Sequence, residues 1–246
     1  MLIDVHAHLD YFKDEKIKEI VENAQKNNVG IVISNSIDLK SAKKSLKIAK
    51  KYEILKFAAG LYPNDKLKEN DYLEFEEFAL ENKKEIVAIG EIGMDFKEGS
   101  DSEAQEFIFR KQLKLAEKLN IPVIIHSRKA EKEVISILED FPKVKKIMHC
   151  FCGKFKLAQK ALEIGCYFSI PTNVVKSEQF QKIVREFPHE KILTETDSPF
   201  LSPFEKGDNE PSYIIESLKK IADIWNVSVK DVEKQIEDNF KEIFRE

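Results

Sequence analysis

The sequence predicts an α/β fold, a closed (β/α)8 barrel of the TIM-barrel type, on three observations. Short apolar runs recur along all 246 residues. Charged stretches with helical spacing separate them. Four of the five histidines, and two carboxylates, stand at the C-terminal ends of those runs. In a parallel barrel those ends share one rim, the face on which sites are built.

The apolar runs fall near residues 2–6, 30–34, 54–59, 86–90, 121–126, 145–149, 165–170 and 191–196. Runs of this length, hydrophobic without alternation, read as parallel strands buried on both faces. Between them the period changes to helical. In 102–119, Phe109, Leu113 and Ala116 fall at i, i+4 and i+7. Near the end, Ile214, Ile215, Leu218, Ile221, Ala222 and Trp225 form one amphipathic stripe, and Val232, Ile236, Phe240 and Ile243 form another. Eight strand–helix units of about 30 residues suit a closed barrel. An open doubly wound sheet is the rival, but no Gly-rich dinucleotide turn is present. No organic cofactor is therefore expected. No Pro/Gly/Ser-rich linker interrupts the chain, so residues 1–246 are expected to form one domain.

Composition narrows the class. The chain is 42% hydrophobic and 34% charged, as in a soluble globular protein. The net charge of −4 offers no global basic field, so a nucleic acid would have to be held locally. No apolar run of about 18 residues occurs, and no membrane span is expected. An odd cysteine count of three, with Asp4 and His6 interrupting the first apolar run, indicates a reducing cytoplasm. Cys150 and Cys152 flank Phe151 directly after His149. Zinc knuckles want a second cysteine pair and only Cys166 remains, so these read as small side chains rather than thiolate ligands.

His6, His8, Glu91, His126, His149 and Asp197 are the metal-competent residues at the ends of strands 1, 4, 5, 6 and 8. His6-Ala7-His8 is an H-x-H on a strand, with Asp10 following, and residues i and i+2 face the same way. Both imidazoles can chelate one ion. Strands 1 and 8 are neighbours in a closed barrel, so Asp197 can complete that site. His126 and His149 come from adjacent strands and suit a second ion, and Glu91 has two oxygens with which to bridge. Two divalent cations so held support hydrolysis. The mixed imidazole and carboxylate set suits Zn²⁺, Mn²⁺ or Fe²⁺, and less naturally Mg²⁺. Asp197 has an alternative use as general base beside Glu91 in the catalytic set. His189 reads as an exposed loop residue.

Five blocks carry a resemblance: Ile3–Asp10, Ala88–Asp95, Pro122–Arg128, Met148–Phe151 and Glu195–Leu201. In this order they resemble the TatD family of metal-dependent deoxyribonucleases, within the amidohydrolase-like barrels, nearly from end to end. The resemblance implies a two-metal hydrolase acting on phosphodiesters, typically DNA. It implies His6, His8 and Asp197 at one metal, His126 and His149 at the other, and Glu91 at both.

The sequence departs from that family at Gly60-Leu61-Tyr62-Pro63-Asn64, where a Gly-x-His-Pro-His type of turn is usual. Tyr62 and Asn64 replace the histidines; they can donate hydrogen bonds but carry no positive charge. Cys152 stands where serine is common. Tyr62, Asn64 and Arg128 are the expected substrate contacts, Arg128 either as a bidentate phosphate ligand or in a salt bridge to a loop carboxylate. Lys66, Lys154 and Lys206 read as solvated surface before phosphate contacts. Asp95 reads as a loop cap before a partner to a metal-bound histidine. The alternative function is a metal-dependent ester or amide hydrolase of the same superfamily, such as a D-aminoacyl-tRNA deacylase. A metal-stabilised binding module is the non-enzymatic alternative.

Overall fold

In this computed structural model the described residues are 1–64, 67–99 and 101–244. Lys66, expected in a βα loop, lies outside them, as does Asp65 of the Tyr62 turn. Strands and helices alternate: β1 (Leu2–Ala7), α1 (Asp14–Lys26), β2 (Val29–Asn35), α2 (Leu39–Ala49), β3 (Leu55–Ala59), α3 (Glu69–Glu81), β4 (Ile86–Asp95) and α4 (Ser102–Leu119). There follow β5 (Val123–Arg128), α5 (Glu131–Glu139), β6 (Lys146–His149), α6 (Phe155–Glu163), β7 (Tyr167–Pro171), α7 (Glu178–Glu186), β8 (Ile192–Glu195), α8 (Ile214–Trp225) and α9 (Val229–Phe244). The strands form one eight-stranded sheet in chain order, β1 to β8. β8 does not end the sheet as an open edge: Asp197 N donates to His6 O at 2.8 Å, and His8 N to Ser198 O at 2.8 Å. This is the (β/α)8 barrel and not the doubly wound rival. No helix of the described residues is long and apolar enough to cross a membrane.

The chain clusters into two compact units. One comprises Met1–Ser34, Lys47–Lys56 and Phe168–Glu246; the other Asn35–Leu46 and Phe57–Tyr167. In the first, β1 pairs with β2 and β7 with β8, all parallel. Its core includes Ile3, Val5, Ile20, Ile33, Phe168, Ile221 and Phe240, all buried. The two C-terminal stripes are real helices, but Ile215 and Trp225 are only half-buried. Trp225 instead donates its indole N–H to Val184 O at 2.9 Å and stacks on the exposed ring of His189 at 3.8 Å.

In the second unit β3, β4, β5 and β6 pair in parallel. α4 shows why the sequence folds this way. The Asp101 carboxylate caps its start by accepting from Ala104 N at 3.0 Å, and Asn120, in the left-handed region at φ 57°, ends it. Phe109, Leu113 and Ala116 are buried as their spacing predicts. Gln105 and Gln112 share that buried face, and both turn back to the strand ends. Gln112 holds the main chain of Leu61 by two hydrogen bonds of 2.8 and 3.1 Å, after β3. Gln105 holds that of Asp95 by two of 2.8 and 3.1 Å, at the end of β4.

Two strands run further along the chain than expected, β4 by lengthening and β5 by starting and ending two residues later. β4 continues from Gly90 to Asp95, with its register shifted between Ile89 and Ile92, so Glu91 sits within the strand and not at its end. β5 continues through Ser127 to Arg128, pairing Gly93 with His126 and Asp95 with Arg128. The β4–β5 approach depends on Gly93, at φ 140°: a Cβ there would lie 2.0 Å from His126 O.

Candidate metal centre

The first unit brings His6, His8 and Asp197 together. His6 is the penultimate residue of β1, but His8 lies just beyond the strand, before a 3₁₀ turn at Leu9–Tyr11. The expected same-face placement along one strand is therefore replaced by a bend at His8, which still brings His6 Nε2 and His8 Nε2 to 3.1 Å. Asp197 Oδ1 stands 3.7 Å from His6 Nε2 and 3.5 Å from His8 Nε2. Asp197 adopts φ 58°, a left-handed turn just past β8. The two backbone bonds to His6 and Ser198 fasten that turn to β1. Asn209, fully buried, fastens it from the other side: its amide donates to Thr196 O at 2.7 Å, Phe200 O at 2.8 Å and Thr172 Oγ1 at 2.8 Å. Below, the Asp4 carboxylate accepts from His6 N at 3.2 Å and from Thr196 N at 2.9 Å and Thr196 Oγ1 at 2.5 Å. Burial outweighs these bonds and pushes the Asp4 carboxyl up to about 8.

The second unit brings Glu91, His126 and His149 together. Glu91 Oε1 is 2.8 Å from His126 Nδ1 and 3.8 Å from His149 Nε2. The opposite nitrogen of His126, Nε2, meets Asp95 Oδ2 at 3.0 Å. Burial disfavours the charged imidazole, but the carboxylates of Asp95 and Glu91 outweigh it and raise the His126 pKa. A proton held at Nε2 by Asp95 leaves the Nδ1 lone pair for a cation, the arrangement by which carboxylates orient metal-binding histidines.

Asp95 does more than cap its loop, and this revises the ranking read from sequence. Its Oδ1 accepts from the backbone N–H groups of Lys97 and Glu98 at 2.8 and 3.1 Å. Its Oδ2 accepts from Tyr62 OH at 2.5 Å and from Arg128 Nε and Nη2 at 2.8 and 2.6 Å, besides His126. Burial raises its pKa, but the His126, Arg128 and Tyr62 donors outweigh burial and hold the carboxyl well below the usual range. Arg128 also pairs with Glu98 at 2.6 Å, so it makes the loop-carboxylate salt bridge that was one of its two expected roles. Tyr62 OH lies 3.2 Å from His126 Nε2, and Asn64 donates to Tyr62 O at 3.2 Å. Lys154 and Lys206 are exposed, as expected.

The donor sets fit divalent cations. Nitrogen and oxygen ligands held tetrahedrally at about 2.0–2.2 Å stand about 3.3–3.6 Å apart. The separations of 3.1, 3.5 and 3.7 Å in the first group bracket that value, and in each group all donors lie within 4.8 Å of one another. No cysteine belongs to a donor group among the described residues. Sequence reading missed Glu195, which ends β8 fully buried, accepts from Ser169 Oγ at 2.5 Å and offers an oxygen within 4.8 Å of a His6 nitrogen. Its signal was an acidic residue inside an apolar run. Gln105, Gln112 and Asn209 gave no signal, because their partners are backbone groups distant in sequence.

Comparison with known proteins decides the family. The family model described as TatD related DNase matches residues 3–245. The chain belongs to that family. It is 35% identical to the metal-dependent hydrolase MJ1582 of Methanocaldococcus jannaschii, covering 99% of this chain and 96% of that protein. It is 31% identical to the human deoxyribonuclease TATDN3, covering 99% of this chain and 94% of that protein. The crystal structure of the TatD homologue YjjV from Escherichia coli superimposes with a TM-score of 0.89 at 24% identity, covering 100% of this chain and 98% of that one, a likeness of fold.

Proposed function

We propose that this TatD family protein is a two-metal hydrolase cleaving phosphodiester bonds, a deoxyribonuclease acting on DNA, with the 3′ end or single strands as targets. The observation that carries the reading is the pair of donor groups, each with two imidazoles and one carboxylate. His6, His8 and Asp197 would hold one cation, and Glu91, His126 and His149 the other. Zn²⁺, Mn²⁺, Mg²⁺ and Fe²⁺ are the candidates. When bound, such cations lower the pKa of water and neutralise charge on the bond under attack. The family model spanning residues 3–245 supports treating the chain as one barrel domain. A cytoplasmic location belongs to the same reading.

The chain's own groups have separable tasks. Asp197 accepts the proton of the attacking water or orients it. Arg128 commits Nε and Nη2 to Asp95 and Glu98, which leaves Nη1 for a phosphate oxygen. Tyr62 and Asn64 present polar groups beside it without positive charge. On the other unit, the rings of Tyr11 and Phe200 lie 5.7 Å apart and are 52% and 48% exposed. Each also packs on the His8 ring, at 5.6 and 6.2 Å. Exposed aromatic rings beside a metal ligand suit the stacking of an unpaired base, which supports nucleic acid as substrate.

Removal of metal by chelation and dialysis should abolish hydrolysis of a 3′-labelled single strand, and Mn²⁺, Zn²⁺ or Mg²⁺ should restore it. Undiminished turnover after complete metal removal refutes the reading. The replacement of turn histidines by Tyr62 and Asn64 favours a second reading, an ester or amide hydrolase such as a D-aminoacyl-tRNA deacylase. A parallel assay on single strand, duplex, a model phosphodiester and an aminoacyl-tRNA separates the two; preferential cleavage of the ester reverses the order.

A further inference from the structure

We propose that Cys150 and Cys152 form a modification site, a hydroperoxide-reactive dithiol whose closure to a disulfide weakens cation binding by the Glu91–His126–His149 group. The effect on cations rests on the metal reading above; the dithiol itself does not. The two sulfurs lie 4.0 Å apart. Cys152 is exposed and Cys150 partly so, whereas Cys166 is buried. Cys150 takes φ 41°, so the chain turns sharply immediately after β6. Phe151, 1% exposed, anchors that turn in the core. A residue anchored inward between two cysteines turns both sulfurs to the same outer side. Cys152 also stands where the family resemblance places serine, so the pair is a feature of this chain.

The chemistry balances with a hydroperoxide as oxidant. The Cys152 thiolate attacks a peroxide oxygen; an S–O bond forms, the O–O bond breaks and water or an alcohol leaves. The Cys150 thiol then attacks the Cys152 sulfur; an S–S bond forms, the S–O bond breaks and water leaves. Two thiols lose two electrons and two protons, and the peroxide takes them up.

Closure has a mechanical consequence. A disulfide brings the sulfurs to about 2.05 Å, so they must approach by about 2 Å. With Phe151 held in the core, the movement is shared by Cys150 and Cys152 on either side of it, and the share taken by Cys150 passes to its neighbour His149. The His149 imidazole is a donor in the cation group, 3.8 Å from Glu91 Oε1. Such groups tolerate displacements of only about 0.5 Å.

The test uses Mn²⁺, which has little affinity for thiolates, and the His8→Ala protein, which breaks the His6–His8–Asp197 group and keeps Glu91, His126 and His149. Reduced and peroxide-treated samples are cleared of oxidant, mapped by mass spectrometry and titrated with Mn²⁺. We expect a Cys150–Cys152 disulfide with Cys166 still a thiol, an Mn²⁺ affinity at least tenfold lower, and full recovery with dithiothreitol. Cys152→Ser should keep the reduced affinity and lose the response. Over-oxidation without a disulfide, cross-linking between molecules, or a disulfide with unchanged affinity overturns the proposal. The two failures read differently. A reduced protein that binds no Mn²⁺ refutes the metal reading, and the proposed effect with it; an unchanged affinity after oxidation refutes the switch alone.

Discussion

Asp95 has no exposed surface, yet one of its oxygens serves Tyr62, His126 and Arg128 together. Replacing it by asparagine turns an acceptor into a donor facing three donors. Breaking a buried ion pair costs about 3–5 kcal/mol, but Arg128 is 34% exposed, and solvent screening brings the expectation for Asp95→Asn to about 2 kcal/mol. The sign with pH follows from the lowered pKa. Asp95 contributes fully at neutral pH and progressively less as pH falls below its ordinary 3.8 toward its folded value. Urea unfolding should therefore show a gap between wild type and Asp95→Asn that widens as pH falls from neutral and His126 takes up its proton beside Asp95, is largest near about pH 5, and narrows in acid as Asp95 protonates. The same variant should lower Mn²⁺ affinity about 10–100-fold, because His126 loses the partner that sets its tautomer. His126 itself titrates above its ordinary 6.5 and must shed its Nδ1 proton to take a cation. Mn²⁺ affinity measured by calorimetry should fall as pH drops through the range above 6.5, with proton uptake or release revealed by changing the buffer.

The elements carry the site through backbone clips. Gln105 and Gln112, seven residues apart on α4, each close two hydrogen bonds on a strand-end main chain. Gln105→Leu keeps the volume and helix propensity but takes the acceptor from the Asp95 N–H, while the Asp95 carbonyl keeps the Gly99 N–H at 3.2 Å. A cost of about 1–3 kcal/mol is expected for the one buried group left unsatisfied. Thermal unfolding checks the cost. Hydrogen exchange at Asp95 faster than at β5 would confirm that the damage is local, whereas uniform acceleration would assign it to the core. These clips also mark where sequence reading stops. The strands, the helices after them and the C-terminal stripes were legible because apolar period is a local property. The bend at His8, the later ends of β4 and β5 and the Asn209 fastening were not, because each depends on a partner far along the chain. Likewise the candidate ligands announced themselves as polar residues closing apolar runs, while the supports of Asp95 looked like ordinary helix-surface glutamine and loop arginine.

At the scale of the molecule, the proposed cation sites would tie stability to metal. A ligand bound only by the folded chain at 100 times its Kd adds about 2.7 kcal/mol per site. Chelated protein should melt lower than Mn²⁺-loaded protein, and Glu91→Gln should remove the share due to the Glu91–His126–His149 group; equal melting temperatures with and without Mn²⁺ would count against the donor groups binding cations at all. The net charge of −4 predicts a further property. With few cationic contacts to phosphate, affinity for a single strand should depend weakly on salt, with a log–log slope no steeper than roughly −2. A much steeper slope would reveal a basic track that the exposed Lys154 and Lys206 do not suggest.

The way the two units are drawn from the chain has a bearing on biosynthesis. Glu91, His126 and His149 belong to a unit that is complete by Tyr167, whereas β1, which carries His6, has its β8 neighbour and Asp197 only near the end of translation. Since domains emerge and fold from the N-terminus onward, the earliest-made histidines wait longest for their carboxylate. A nascent chain whose first 167 residues have cleared the ribosome would carry all three donors of one group and, until residue 197 is made and released, lack the carboxylate of the other.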